Sequence, residues 1–184
     1  MKPPTASTTH RRSHHSEPPV PPSLLIERRR SAIHGHGVYA RVAIPAFHVI
    51  IEYRGERITK AESARREEAR QARERRGHDA CTYLFHLNNR FDLDGRHGGN
   101  LSRFINHSCR PNCWADLRRG RIWITAIADI LPGEELTFDY GFPFRDRANN
   151  PCRCGAPDCP GVIVSADQRW RLRRVVSPAP ARPT

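Results

Sequence analysis

Short apolar runs rich in β-branched and aromatic residues recur along the chain, bounded by glycine, proline or asparagine. That pattern reads as strand rather than helix. VYARV (residues 38–42) and VIIEY (residues 49–53) are the first two such runs. YLFHL and RFDLDG follow, joined by Asn88-Asn89. Asparagine tolerates the φ > 0 of a tight turn, so the pair predicts a β-hairpin. Residues 114–127 predict a second hairpin, turning at Arg118-Arg119-Gly120. Pro132-Gly133 predicts a turn into a strand over ELTFDY. One stretch breaks the pattern. KAESARREEARQARERR, between Thr59 and Arg76, has few apolar positions and sets Glu62 four residues before Arg66. It predicts a solvated surface helix, ended by Gly77. SADQRWRLRR predicts a short C-terminal helix carrying Trp170, with Ser165 and Gln168 as its capping box. Many short strands and one clear mid-chain helix make a mostly β (α+β) domain.

Composition changes this picture mainly at the ends. Residues 1–23 have too little apolar content to fold and predict a disordered basic tail, with ordered chain from about Leu24. The rest of the 184 residues suits one domain whose core needs no disulfide staples. No apolar run approaches the ~18 residues of a membrane helix, so no membrane partner is expected. The N-terminus lacks an apolar h-region, which argues against a Sec-type signal peptide. Its Ser/Thr-rich basic character faintly resembles an organelle transit peptide, but its prolines oppose the amphipathic helix such a peptide needs.

The formal charge of +12 raises nucleic acid, or another polyanion, as a partner. The excess is almost all arginine, 29 against the two lysines Lys2 and Lys60. Codon usage in a GC-rich genome gives the same skew, and no basic–aromatic stacking motif accompanies the charge. Composition alone does not separate the two readings.

The six cysteines are clustered: Cys109 with Cys113, then Cys152, Cys154 and Cys159, with Cys81 alone. Tight clusters without a secretory signal read as metal ligands in a reducing compartment. PCRCGAPDC offers three thiolates in a turn-rich segment, whereas structural zinc takes four ligands. The fourth must be remote: Cys109, Cys113, Cys81 or a histidine. HGHG (residues 34–37) lacks the third glycine and the helix of a dinucleotide fingerprint, and alone reads as an ordinary turn. RFINHSCRPNC sets His107 near Cys109, but adjacency in sequence does not make a nucleophile–base pair.

Together these pieces resemble the SET-domain protein-lysine methyltransferases, over about residues 24–161. IHGHGVYA, EYRGE, RFINHSCRPN and ELTFDYG resemble the family's four motifs in order, and CRCGAPDC its post-SET zinc segment. A Cys-rich pre-SET region is not matched. The resemblance implies several small curved sheets with a pseudoknot. It divides the chain into a tail (1–23), a SET domain (24–144), a post-SET zinc segment (145–164) and a C-terminal helix and tail (165–184). It implies an S-adenosylmethionine site at His34, Gly35, His36, Tyr83, Asn106 and His107, with Arg103 a further candidate. It assigns structural zinc to Cys109, Cys152, Cys154 and Cys159, which leaves Cys81 and Cys113 as buried thiols.

The implied reaction moves a sulfonium methyl to a lysine ε-amine. Free lysine titrates near ~10.4, so an apolar channel beside the sulfonium has to favour the neutral amine. No protein nucleophile is needed, and positioning does most of the work. Tyr140 matches the family's catalytic tyrosine and Tyr53 a second channel tyrosine. Phe138 stands where tyrosine would restrict the product to monomethyl-lysine, which implies di- or trimethylation. Phe142 and Trp170 are further channel candidates. The implied partner of this expected monomer is a histone tail or another basic protein, with nucleic-acid contact through the arginine-rich surface. The implied location is the cytoplasm if the source is bacterial, and the nucleus if it is eukaryotic or the protein enters a host. The main rival is a catalytically idle SET scaffold, against which the intact Tyr140, Tyr53 and Asn106-His107 argue. A small zinc-dependent nucleic-acid binder is a third reading that leaves the motifs unexplained.

Overall fold

The structure, a computed structural model, describes residues 20–77 and 81–172. Its elements in chain order are α1 (Pro22–Leu25), β1 (Ile26–Arg30), β2 (His36–Ala40), β3 (Val49–Tyr53), β4 (Glu56–Thr59), α2 (Lys60–Arg75), β5 (Leu84–His86), β6 (Phe91–Asp94), β7 (Asn106–His107), β8 (Cys113–Arg118), β9 (Arg121–Ala126) and β10 (Glu135–Phe138). Short 3₁₀ turns cover Leu101–Phe104, Phe144–Asn149 and Ala166–Gln168. The strands make three small sheets, ordered β1-β2-β10-β7, β3-β9-β8 and β4-β6-β5. The core lies between the first two, around Ile26, Val38, Ile51, Ile124, Ile130 and Leu136. A smaller cluster of Tyr53, Leu87 and Ile122 continues it toward the third sheet.

The alternating runs become strands because every second side chain reaches that core. On β9, Ile122 and Ile124 are buried while Arg121 is exposed. β8 and β9 form the second expected hairpin, with Arg118 paired to Arg121. Arg119 (φ 50°) and Gly120 (φ 74°) supply the two positive dihedrals that suit the twist of the strands. β5 and β6 form the other hairpin, but Asn88 and Asn89 do not have the expected positive φ. Instead the Asn88 side chain accepts from the N–H groups of Arg90 (2.8 Å) and Phe91 (2.9 Å), an Asx turn.

α2 begins at its Thr59 cap, whose hydroxyl accepts from Glu62 N at 3.3 Å. It ends before Gly77, which sits at φ 79°. Only Ser63 of the helix is buried, as its composition requires, and Glu62 and Arg66 pair across one turn at 2.6 Å.

Some elements differ from the pattern. β1 was hidden within IERRR because it is an edge strand burying only Ile26. β2 starts two residues earlier than expected, so His36-Gly37 belongs to a strand and not to a turn. Structure begins before Leu24, since α1 starts at Pro22. Residues 1–19 of the expected tail and 173–184 of the expected C-terminal helix lie outside the described residues. The capping box does not form: Ser165 makes no side-chain cap, its hydroxyl turns to Asp167, and Gln168 Oε1 accepts from Phe144 N at 2.9 Å.

β10 runs antiparallel to β2 and parallel to β7, pairing Thr137 with Asn106 and Phe138 with His107. Asn112 grips β10 like a short strand: its amide nitrogen donates to Glu135 O and its oxygen accepts from Thr137 N, both at 2.9 Å. The resemblance places its pseudoknot crossing at Asn106-His107, the strand that here pairs with β10.

Candidate functional site

The crossing is organised around a carboxylate that the sequence reading missed. Glu135 accepts from the Ser31 hydroxyl (2.8 Å), the Tyr39 hydroxyl (2.9 Å) and Asn106 Nδ2 (2.7 Å). Asn106 Nδ2 also lies within hydrogen-bond reach of the His34 and His36 carbonyls, at 3.3 and 3.1 Å. The Asn106 amide thus faces inward and fixes the loop between β1 and β2, where Gly35 takes φ 46°. Glu135 leans against Gly37, where an added Cβ would meet the carboxylate carbon at 2.6 Å. Only glycine leaves room for that approach.

Beside this loop lies a cavity of about 310 Å³. His34, Asn106 and His107 line it from the core side, Cys81 and Thr82 from the segment before β5, and Asn150, Pro151 and Cys152 from the C-terminal segment. Arg70 and Glu74 of α2 also reach it. Gly35 and His36 do not line it, and the His36 ring lies edge-on to Phe104. His107 is buried, which lowers its pKa to about 4, so the ring is neutral and its Nδ1 accepts from Tyr140 N at 3.2 Å.

A second cavity, of about 430 Å³, lies beyond. Its wall is a chain of aromatic rings, Tyr53, Phe85, Phe138, Tyr140 and Phe142, with successive centroids 5.0 to 5.9 Å apart. Tyr83 and Arg103 line this cavity and not the smaller one. Three residues, Thr82, Tyr140 and Phe142, line both. The Tyr140 hydroxyl donates to Ile105 O at 3.1 Å, and that of Tyr53 to Tyr83 O at 2.9 Å. Burial raises the pKa of both phenols above its ordinary value and that of Tyr83 to about 12, so all three stay protonated. With its proton directed at a backbone carbonyl, each of the first two hydroxyls keeps lone pairs free to accept. Trp170 is exposed and lines neither cavity. Phe85 was not singled out in the sequence, because an aromatic residue on a strand is ordinary packing until its neighbours are known.

The fold brings Cys109 to the three thiols of the C-terminal segment. The sulfurs of Cys109, Cys152, Cys154 and Cys159 all lie within 4.8 Å of one another, the one such cluster among the described residues. Cys109 Sγ is 3.8 Å from the sulfurs of Cys152 and of Cys159. Tetrahedral zinc with Zn–S of ~2.3 Å sets its sulfurs ~3.8 Å apart, so the four thiols fit that ion. Burial raises the Cys152 thiol to about 12 and moves Cys109 in the same direction, helped by the neighbouring thiols. Burial opposes ionisation of Cys154 too, but the backbone N–H groups of Cys109 and Ala156 lower it to about 6. A bound dication would deprotonate all four.

Cys113 is 1% exposed in the main core, and burial raises it to about 12, as suits an inert packing thiol. Cys81 differs from the expected buried thiol: it is half-buried on the cavity wall, with Sγ 3.8 Å from His34 Nδ1.

A sequence model of the family described as SET domain matches residues 35–141. Over 140 residues the chain is 42% identical to a Saccharomyces cerevisiae protein named histone-lysine N-methyltransferase, H3 lysine-4 specific, covering 73% of this chain and 13% of that protein. It is 40% identical over 135 residues to human histone-lysine N-methyltransferase 2B, covering 71% of this chain and 5% of that protein. It is 40% identical over 134 residues to Drosophila melanogaster histone-lysine N-methyltransferase trithorax, covering 71% and 3%. The aligned region is thus a small part of each of these relatives.

Proposed function

Because this chain belongs to the SET-domain family, we propose that it transfers methyl groups from S-adenosylmethionine to the ε-amine of protein lysines. The observation that carries the reading is Tyr140 on the shared wall of two cavities. One is the more polar of the two and is bounded by Asn106 and His107, which suits a cofactor. The other is sheathed in aromatic rings, which suits the alkyl chain of a lysine. S-adenosylmethionine supplies an activated methyl group, and zinc supplies cross-linking of the C-terminal segment and no chemistry.

The protein's own residues account for the rest. The aromatic wall excludes water and favours a neutral amine over an ammonium. The hydroxyls of Tyr140 and Tyr53 can accept from the amine N–H groups and hold its lone pair in one direction. Phe138 adds no hydroxyl to that wall, which leaves room for a second and third methyl group. His34 and the backbone of Asn106 and His107 hold the cofactor end, with Tyr83 and Arg103 close by on the wall of the adjoining cavity. The relatives named for histone H3 lysine-4 make a histone H3 tail the first substrate to try.

The test is transfer of label from S-adenosylmethionine to a histone H3 peptide and to whole-cell protein. Wild type should label a lysine, and Tyr140→Phe should lower kcat roughly 10²-fold with cofactor affinity unchanged. Cofactor binding without label in any protein, or full activity in Tyr140→Phe, would contradict the reading.

A further inference from the structure

We propose that Arg169 is a positioning residue for this transfer: its guanidinium clamps the C-terminal segment onto the strand end that carries Tyr140. The role rests on the function proposed above. Arg169 joins its own segment to two distant parts of the chain. Nη1 donates to Cys109 O at 2.7 Å, Nη2 to Asp139 Oδ2 at 3.1 Å and Nε to Val164 O at 3.0 Å. The side chain is largely covered, and so is that of Asp139.

Asp139 extends the clamp to both sides of Tyr140. Its Oδ2 also accepts from Ala166 N at 2.8 Å, and its Oδ1 from Gly141 N at 3.0 Å. One residue further, Ser165 N donates to Phe142 O at 2.9 Å. Residues 165–169 are thereby laced to residues 139–144, with Tyr140 and Phe142 between the fastened points.

Two features make this more than packing. The segment joined to Asp139 is also the one whose Pro151, Cys152 and Ile163 wall the smaller cavity. And Cys109, whose carbonyl the clamp holds, is the remote member of the thiol cluster. A planar guanidinium serves three acceptors in fixed directions, whereas a lysine ammonium would act as a single charge on a flexible stem. Releasing the clamp frees the backbone on either side of Tyr140, and a shift of ~1 Å in a reacting group costs about 10²-fold in rate.

The experiment compares wild type with Arg169→Lys and Arg169→Ala. It reads zinc content, S-adenosylmethionine affinity, kcat and KM on the histone peptide, and amide exchange at Gly141 and Ala166. The expected result is zinc content and cofactor affinity near wild type and faster exchange at both amides. We expect kcat to fall roughly 10²-fold while KM stays within about threefold, since the interaction serves the transition state more than binding. Arg169→Lys should rescue little of this loss. If Arg169→Ala fails to fold, Asp139→Asn replaces it, with the same exchange and kcat expected. Wild-type kcat in the variants with unchanged exchange overturns the clamp alone. A kcat loss that only follows lost zinc or lost folded protein, with Arg169→Lys at full activity, overturns positioning in favour of a structural role. A wild-type chain that labels nothing overturns the parent reading, and this role with it.

Discussion

Phe138 packs between Phe85 and Tyr140, with ring centroids 5.9 and 5.0 Å away, so one atom added there changes the wall of the larger cavity. Phe138→Tyr would bring a hydroxyl, and the water it holds, into the space that a methylated ammonium needs. The variant should move the product toward monomethyl-lysine with the first methyl added at a similar rate, as read by peptide mass spectrometry over time. Trimethyl-lysine from Phe138→Tyr at the wild-type rate would remove Phe138 from product control. At this scale the motifs of the sequence single out Tyr140, Tyr53, Asn106 and the cysteines, and the structure places each on a cavity wall or in the core or thiol cluster. Glu135 was not legible: a glutamate at the start of a strand looks solvated until Ser31, Tyr39 and Asn106 are seen around it.

Between elements, the contact that matters is β2 against β10. Gly37 lets the Glu135 carboxylate sit over the strand, where it fixes Asn106 and so the loop at His34. Gly37→Ala has to push the carboxylate aside, and overpacking of this kind costs about 1–3 kcal/mol. Its urea midpoint should fall, and affinity for S-adenosylmethionine should fall with it in calorimetric titration. A variant with wild-type midpoint and affinity would show that Glu135 is not the organiser. The turns teach a related point. Arg119-Gly120 follows the dihedral rule for hairpins, whereas Asn88 reaches the same hairpin through its side chain. The residue pattern marks a turn in both cases, but several backbone routes satisfy it.

In the whole molecule, the thiol cluster ties residue 109 to residues 152–159, across more than forty positions of chain. Metal affinity in such a site is also folding energy for the segment it fixes. Cys154→Ser leaves the lining of the smaller cavity intact, since Cys154 is not part of it. The variant should bind substoichiometric zinc by elemental analysis, melt at lower temperature and bind S-adenosylmethionine roughly tenfold more weakly. Full zinc content, or zinc loss with unchanged cofactor affinity, would separate the metal from the cavity wall. The charge of +12 also looks different at this scale. On α2, Arg65, Arg66 and Arg70 pair with Glu62, Glu56, Asp94, Glu67 and Glu74, so much of that helix's positive charge is answered within the fold.

The strands other than β1, β4 and β7, the helix α2, the two hairpins and the motif residues were legible in the sequence alone. Each is a short-range property: side-chain alternation, charges four apart, a glycine after a helix, a few residues in fixed order. Tertiary structure decided which distant parts meet. It brought Ser31, Asn106 and Glu135 together through the parallel pairing of β7 with β10. It gathered Cys109, which the motif resemblance had named, with the three distant thiols, placed Tyr140 between two cavities and set Arg169 against Cys109 and Asp139. Periodicity is fixed by backbone geometry within a few residues, whereas these meetings depend on how the whole chain crosses itself, which no local pattern encodes.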